Sequence, residues 1–302
     1  MNGNTENIRE PAVAGQFYDA DPLTLRKQLE KFFAECAHSD VPSNQKLTAL
    51  ISPHAGYVYS GRTAAETFSR ISTDAAVKRV FIIAPSHRIP FSGIALADYA
   101  GYKTPLGTLK IDTDTITGLA QYAEFSIMNE AHEGEHALEV QLPFLQMRLP
   151  QIPIVPLICG RLNKSSLLNT AQALLPYLNN ETLWIISSDF THFGASFGYV
   201  PFTDNVPRHL RELDMGAIEK ITAVDYKGFS DYTEETGATI CGSTPIKLLL
   251  KTMELTGERS KFTSELVKYT NSGELTGDFS HCVSYAGIAF YTKSEKIRKE
   301  FN

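Results

Sequence analysis

The stretch LTALISPHAGY, residues 47–57, contains the pattern that decides the fold: an apolar run typical of a β-strand ends, and His54 follows within three residues. The same order occurs twice more, in Val80–Ala84 followed by His87 and in Leu183–Ile186 followed by His192. Because the carboxyl ends of parallel strands line one crevice of an open sheet, we expect these histidines to lie close together. The repeated pattern therefore predicts a metal site.

Apolar runs alternate with helical patterns along the rest of the chain, which favours an α/β protein. Ser60 is placed to cap a helix between the first two strands, giving a βαβ unit. Strands Ile94–Ala97 and Thr108–Ile111 are predicted to flank a turn at residues 101–107, and Glu135–Arg148 is predicted to form one helix. We expect a three-layer αβα fold with a mostly parallel central sheet.

Composition limits the class of protein. The chain of 302 residues has 28 Lys+Arg and 34 Asp+Glu, a net charge of -6, and its long basic cluster is confined to Lys293–Lys299, so a nucleic-acid partner is not expected. Its apolar segments are far shorter than the roughly 20 residues needed to cross a bilayer, and Met1–Glu10 does not resemble a secretory signal. Four cysteines without C-x-x-C spacing favour a reducing compartment. We predict one cytoplasmic domain over residues 1–302, without membrane contact.

Cys241 supplies a sulfur donor for the predicted site. The segment TICGSTP, residues 239–245, places it just before a helix, where the backbone dipole is expected to favour the ionised thiol. Two histidines with one anionic residue form the facial arrangement of non-haem iron enzymes. The sequence thus predicts His54, His87 and Cys241 as metal ligands, and a thiolate leaves copper and zinc open beside iron.

Further polar residues are candidates for catalysis. Asp189 precedes His192 by three residues and is predicted to orient an imidazole or to position a proton shuttle. We assign catalytic roles to His192, Asp189 and Cys241. His136 and Glu139 have helical spacing, a weak signal that also describes a solvated helix face, but His136 is a candidate for the pocket as an acid or base.

Seven short segments together resemble the Memo family in their order and approximate spacing. They are Ile51–Tyr57, Ala84–His87, Tyr102–Leu106, Glu135–His136, Ser187–His192, Thr239–Gly242 and Ser284–Ala286. The match covers nearly the whole chain. The resemblance implies a fold like that of class III extradiol ring-cleaving dioxygenases.

The resemblance also implies a ligand set. The family's metal site falls on His54, His87 and Cys241, with Asp189 and His192 beside it. In the related dioxygenases the third iron ligand is a glutamate, so the cysteine departs from their pattern and a catechol substrate is not predicted. Iron(II) is the first choice of cofactor, with copper or zinc as alternatives.

Three functions follow as hypotheses. The leading one is a metal-binding protein with iron or copper, redox-active on an unknown substrate and so an oxidoreductase. The second is a peptide- or phosphopeptide-binding module on a degenerate enzyme scaffold, its pocket walled by Phe17, Tyr57 and Phe190. The third is zinc-dependent hydrolysis through Asp189 or Glu135. The family resemblance also implies association with a radical-SAM protein for microbial members.

Overall fold

The computed structural model describes residues 7–36 and 45–293 and has a large sheet flanked by helices. The predicted three-layer αβα class is confirmed. The prediction about the amino-terminal segment falls partly on residues 1–6, and most of the basic cluster falls on residues 294–299. Both lie outside the described residues.

The described part of the chain forms twelve strands and eleven α-helices. The strands are β1 (Ile8–Arg9), β2 (Gln45–Ser52), β3 (Arg79–Pro85), β4 (Ile94–Leu96), β5 (Gly101–Thr104), β6 (Gly107–Lys110), β7 (Phe125–Ile127), β8 (Ile154–Cys159), β9 (Thr182–Ser187), β10 (His192–Gly194), β11 (Phe262–Asn271) and β12 (His281–Lys293). The helices are α1 (Pro22–Ala34), α2 (Tyr57–Phe68), α3 (Thr113–Leu119), α4 (Asn129–Glu133), α5 (His136–Glu139), α6 (Leu142–Arg148), α7 (Lys164–Leu174), α8 (Val206–Thr222), α9 (Tyr226–Thr236), α10 (Ser243–Leu255) and α11 (Ser272–Thr276).

Four parallel strands, in the order β2, β9, β3 and β8, form the centre of the large sheet. Antiparallel strands extend it on both sides: β12 pairs with β2, and β4 pairs with β8. Strand β12 also pairs with β11 and β10, and β7 pairs with β4. The central strands are fully buried along most of their length, as is expected when helices cover both faces of a parallel sheet.

The register of the central strands brings their carboxyl ends together. Ser52, the last residue of β2, is opposite Ser187, the last residue of β9, and Ile83 near the end of β3 is opposite Ile186. The loops that follow β2, β3 and β9 therefore leave the sheet at the same edge. This is the arrangement that the repeated strand and histidine pattern requires.

The predicted turn at residues 101–107 is wrong in its extent. Residues Gly101–Thr104 form β5. This strand is the centre of a separate three-stranded sheet, in which it pairs with β1 and with β6. The turn itself occupies only Pro105 and Leu106, and Gly107 follows with a φ of 125°, which strongly favours glycine. The glycine and proline signals thus marked a tight turn inside a hairpin rather than a long loop.

The predicted helix over Glu135–Arg148 is two helices, α5 and α6, with Val140 and Gln141 between them. Pro143 explains the interruption, because proline has no N–H to donate to the carbonyl of Glu139 and its ring crowds that carbonyl. The backbone N–H of Gln141 donates to the carbonyl of Leu138, three residues earlier, which is a tighter turn than that of an α-helix. The break leaves the Gln141 side chain fully buried beneath the crevice.

The amino-terminal segment is fixed to α5 by a buried carboxylate. Glu139 forms an ion pair with Arg9 and accepts hydrogen bonds from the Tyr18 hydroxyl and from the backbone N–H groups of Ala12 and Val13. Both members of the ion pair are almost completely buried. This contact brings the following residues, including Phe17, beside the edge of the sheet.

Within residues 7–36 and 45–293, no helix has both the length and the apolar character required to cross a bilayer.

Candidate metal centre

Three imidazoles meet at the carboxyl edge of the sheet. His54 follows β2, His87 follows β3, and His136 begins α5. One nitrogen from each ring lies within 4.8 Å of the others. Ring centroids are 5.2 Å apart for His54 and His87, 5.5 Å for His54 and His136, and 4.7 Å for His87 and His136. We call these residues the histidine triad.

The hydrogen bonds of His54 define its tautomer. Its Nδ1 lies 2.8 Å from Oγ of Ser187, and that hydroxyl donates its single proton to the carbonyl of Ala137 at 2.6 Å. Nδ1 of His54 must therefore donate, which leaves Nε2 as the acceptor nitrogen of this ring. Gln141 also donates to the Ser187 hydroxyl, at 2.9 Å. Burial lowers the pKa of His54 well below its usual value, so the imidazole is neutral at pH 7.

Glu135 orients the second imidazole. Its carboxylate accepts from the backbone N–H of His87 at 2.6 Å and lies 3.0 Å from Nδ1 of the same residue. Because a carboxylate only accepts, Nδ1 of His87 donates, and Nε2 is the nitrogen of this ring that the contact leaves for a ligand. Although burial raises the pKa of Glu135, the hydrogen bonds from His87 and Ala137 lower it to about 2 overall. Glu135 is therefore an anion that holds its neighbour in one tautomer.

The third imidazole, His136, has an unsatisfied ring nitrogen. Its Nδ1 is buried without a hydrogen-bond partner and lies 3.3 Å from a carboxylate oxygen of Glu135. Burial, together with the nearby His54 ring, lowers the pKa of His136 to about 4. Phe17 packs against the ring at a centroid distance of 4.7 Å. A neutral, partly unpartnered imidazole beside two others is suited to binding a cation.

Cys241 contacts the triad at His54. Its Sγ lies 3.2 Å from Nε2 of that residue and accepts from the backbone N–H of Asp189, also at 3.2 Å. The sequence predicted His54, His87 and Cys241 as the three ligands. The group of three donor atoms within 4.8 Å of one another consists of His54, His87 and His136 instead. The expectation of a readily ionised thiol is not met, because burial and the Asp189 carboxylate raise the pKa of Cys241. Desolvation outweighs the dipole of α10 in this position.

Asp189 contacts His54 of the triad, and His192 is held by two backbone carbonyls. Asp189 accepts from the backbone N–H of His54 at 2.8 Å, and its second oxygen lies 3.9 Å from Nε2 of that ring. Nδ1 of His192 lies 3.0 Å from the carbonyl of Phe190 and 3.1 Å from that of Thr239, so it donates and Nε2 is left as an acceptor. Burial raises the pKa of Asp189.

The triad opens into a cavity of about 560 Å³, which we call the histidine cavity. It is lined by Phe17, His54, Ala55, Gly56, Tyr59, His87, His136, Asp189, His192, Phe197, Ser272, Thr276, Asp278, His281, Val283 and Tyr285. Its size is that of an ordinary small-molecule site, and it combines aromatic walls with several proton-carrying groups.

Two of the three predicted pocket residues line this cavity, and the third is placed differently. Phe17 and His136 face it, whereas the Tyr57 ring is buried against Phe144 and its hydroxyl donates to the carbonyl of Val140. Tyr59 lines the cavity in its place. Both tyrosines lie in the first turn of α2. Because residues two positions apart in a helix point to different faces, Tyr59 lines the cavity whereas Tyr57 does not.

Sequence reasoning did not identify two residues that orient the site, Ser187 and Gln141. Ser187 follows the apolar run Leu183–Ile186 directly, and a serine at that position gives no sign in the sequence that its hydroxyl contacts His54. Gln141 lies between Val140 and Leu142 in the sequence, and a glutamine in a helical stretch carries no signal of its own. Glu135 was considered only as a base for hydrolysis, and its contact with His87 joins residues 48 positions apart.

Comparison with known proteins gives one consistent family. The profile of the Memo-like protein family matches residues 9–289. A MEMO1 family protein of Thermococcus onnurineus is 34% identical over 294 residues, covering 94% of this chain and 99% of that protein. The memo-1 homolog of Caenorhabditis elegans is 34% identical over 96% of this chain and 85% of that protein, and a MEMO1 family protein of Schizosaccharomyces pombe is 33% identical over 93% and 98%.

Proposed function

The chain belongs to the Memo-like protein family, and from this premise we propose that it binds a transition metal, iron or copper, and acts as a redox-active oxidoreductase. The observation that carries the proposal is the histidine triad, with one nitrogen of each ring within 4.8 Å of the others. We propose His54, His87 and His136 as ligands and Cys241 as an additional donor.

The residues fit a cation. His54 and His136 are neutral imidazoles because burial lowers their pKa values, and one nitrogen of each ring lies within 4.8 Å of one nitrogen of His87. Three ring nitrogens grouped this closely can bind a single cation together. The other nitrogens of His54 and His87 are already engaged by Ser187 and Glu135, as is usual for ligating histidines.

The nature of the donors favours iron or copper. Imidazole binds iron, copper and zinc, the thiol of Cys241 favours softer ions, and the nearby carboxylate of Asp189 favours harder ones such as iron(II). We place iron(II) first and copper second, with zinc as the alternative without redox chemistry. When bound, iron or copper supplies one-electron redox chemistry and polarises a small molecule beside it.

The chain's own residues then bind substrate and hold protons. His192 lines the histidine cavity, and because backbone carbonyls engage its Nδ1, we propose that its Nε2 takes a proton from a substrate placed there. Asp189 sits against the His54 backbone and keeps a second proton-carrying group near the same point. The rings of Phe17 and Tyr285 form part of the cavity wall and reduce the access of water to the substrate.

We also propose a reducing, cytoplasmic setting. All four cysteines of the chain are free in the structure, including the buried Cys159 and Cys282. Free cysteines persist where thiols are kept reduced. Association with a radical-SAM protein stays a prediction made from the family resemblance.

Metal analysis of protein purified without chelator tests the proposal. We expect about one iron or copper ion per chain, and a reduction to about one tenth of that in His54→Ala, His87→Ala and His136→Ala, because each removes one ligand. His209→Ala is the matched control, since His209 lies on α8 outside the histidine cavity. Thermal unfolding of each variant shows whether it is folded.

Unchanged metal content in all three variants would contradict the site. Oxygen consumption with a reductant then separates the metals: protein loaded with iron or copper is expected to consume oxygen, and protein loaded with zinc is not. Metal-free protein that binds peptides through the histidine cavity would favour the alternative of a binding module.

A further inference from the structure

A second cavity shares two residues with the proposed metal site. It has a volume of about 320 Å³ and is bounded by His87 and Cys241 on the side of the triad. We call it the arginine cavity, because Arg88 and Arg161 both line it. The described residues that line it include no aspartate or glutamate.

The backbone holds both arginines at the carboxyl ends of neighbouring parallel strands. Arg88 lies three residues after β3, in a turn closed by a hydrogen bond from the Ser86 hydroxyl to the carbonyl of Ile89. Arg161 lies two residues after β8, where its N–H donates to the carbonyl of Phe91 at 2.8 Å. The two positions are therefore set by the sheet rather than by a free loop.

Neither guanidinium forms an ion pair within the described part of the chain. Among residues 7–36 and 45–293, no carboxylate forms an ion pair with Arg88 or Arg161, whereas five other arginines have such a partner: Arg9, Arg62, Arg70, Arg79 and Arg208. Arginine is always charged at pH 7 and offers up to five donors in a planar fork. Within the described residues, the two positive charges of the arginine cavity thus have no carboxylate partner.

The first turn of α10 adds to the positive electrostatic potential of the arginine cavity. Thr244, the second residue of this helix of 13 residues, lines the arginine cavity, and the helix has no side-chain cap. Free N–H groups at a helix start favour anions. The histidine cavity differs, because its lining includes Asp189 and Asp278.

We propose that the arginine cavity binds the anionic group, a phosphate or a carboxylate, of a small-molecule substrate whose reacting part lies at the histidine triad. This inference rests on the proposed function, because the metal site supplies the place of reaction. Bidentate contact with a guanidinium is the usual way in which proteins recognise both groups. Arg88 and Arg161 are therefore substrate-positioning residues, and the substrate is a small anion.

Calorimetric titration of metal-free protein tests this inference without interference from a bound ion, to which phosphate or carboxylate would bind directly. The probes are phenyl phosphate, benzoate and neutral phenol. We expect one or both anions to bind and phenol to bind at least about tenfold more weakly, because a charge-assisted hydrogen bond contributes on that scale. Stronger binding of phenyl phosphate identifies a phosphate substrate, and stronger binding of benzoate identifies a carboxylate.

Substitutions locate the binding site. Arg88→Gln and Arg161→Gln are each expected to weaken the preferred anion about fivefold to tenfold, and the double variant about fiftyfold. Arg208→Gln removes the same charge from the surface of α8 and is expected to leave the affinity unchanged. On unaltered protein, raising KCl from about 0.05 to about 0.5 M is expected to weaken binding of the anion, since salt screens exposed charges.

The outcomes separate this inference from the proposed function. His54→Ala removes a metal ligand but is expected to leave anion binding by metal-free protein unchanged. Anion binding in a protein that never takes up metal would overturn the metal function and leave the anion site standing. Anions that bind no better than phenol, or arginine variants that behave like Arg208→Gln, would overturn the anion site whatever the metal content.

Discussion

Two polar clusters share the short helix α5, and they differ in whether their hydrogen bonds are complete. At Glu139, the last residue of α5, each carboxylate oxygen accepts two bonds, from Arg9 and Ala12 on one oxygen and from Tyr18 and Val13 on the other. A carboxylate has about four such acceptor positions, and all are used. This cluster is closed, and its role is to hold the amino-terminal segment.

The histidine triad, which begins α5 at His136, is the opposite case. Nδ1 of His136 has no hydrogen-bond partner, and the hydrogen bonds of His54 and His87 to Ser187 and Glu135 use only their Nδ1 atoms. Saturated polar groups beneath the surface stabilise a fold, whereas lone pairs left over at a cavity are available to a ligand. The two glutamates of this region therefore have different roles. Glu135 orients a histidine of the site, and Glu139 holds the amino-terminal segment in the fold.

Breaking the closed cluster is expected to have the largest effect on stability. Glu139→Gln leaves the Arg9 guanidinium buried without a counter-charge, so we expect the free energy of unfolding to fall by about 3–5 kcal/mol. Thermal unfolding followed by circular dichroism measures the change. Glu10→Gln is the matched control, because it breaks an exposed ion pair with Lys103, which contributes at most about 1 kcal/mol. Equal effects of the two substitutions would mean that the closed cluster does not anchor the fold.

Acid is expected to weaken the same region through His132, whose carbonyl accepts from Arg9. Nε2 of His132 donates to the carbonyl of Ala95, and its Nδ1 accepts from Tyr102, so the buried ring is satisfied when neutral. Burial lowers the pKa of His132 from 6.5 to about 4. The unfolded chain takes up this proton below pH 6.5 and the folded chain only near pH 4, so stability is full above pH 6.5 and is lost as the pH falls.

This loss is expected to reach about 3 kcal/mol for His132 between pH 6.5 and pH 4. His132→Gln removes the contribution, so the difference in melting temperature between wild type and variant is expected to narrow as the pH falls from 7 toward 4.5. A difference that stays constant over that range would show that His132 does not stay neutral in the fold.

Metal binding is expected to stabilise the protein through the histidine triad and to leave the hydrogen bonds of the closed cluster at Glu139 unchanged. A metal ion at about 100 times its dissociation constant adds about 2.7 kcal/mol to the free energy of unfolding. His136→Asn is expected to lose this increment, while its metal-free stability stays close to that of metal-free wild type, because Nδ1 of His136 forms no hydrogen bond to lose. Thermal unfolding with and without metal measures both quantities. An equal increment in the variant would contradict a ligand role for His136.

The smallest effect is expected from the residues that orient the imidazoles. Gln141→Leu removes the donor to Ser187, whose hydroxyl fixes the tautomer of His54. We expect the affinity for metal to fall about tenfold to a hundredfold, with the number of binding sites unchanged. Competition with a chromophoric chelator measures the affinity. A Gln141→Leu variant with wild-type affinity would show that the orientation of His54 does not depend on this contact.

The position of the site followed from the sequence because strand ends are a local signal. His54, His87 and His192 each follow an apolar run, and the register of parallel strands then brings them to one edge. His136 gave only a weak signal, because it lies on a helix that Pro143 interrupts and a histidine with a glutamate at helical spacing also occurs on solvated faces.

What could not be predicted depends on burial and on contacts between distant residues. The pKa of the Cys241 thiol was expected to be low from the helix dipole, but the loss of water around the sulfur raises it, and burial is not visible in a short motif. The pairing of Glu135 with His87 and the neighbourhood of Arg88 and Arg161 each arise only when separate strands are aligned.

Anomalous X-ray scattering from crystals grown after anaerobic iron(II) loading tests the central claim most directly, because it reports both the element and its ligands. We expect an iron peak within bonding distance of His54, His87 and His136. Crystals that show no iron peak at this point, or a peak held by other residues such as His192 and His281, would contradict it.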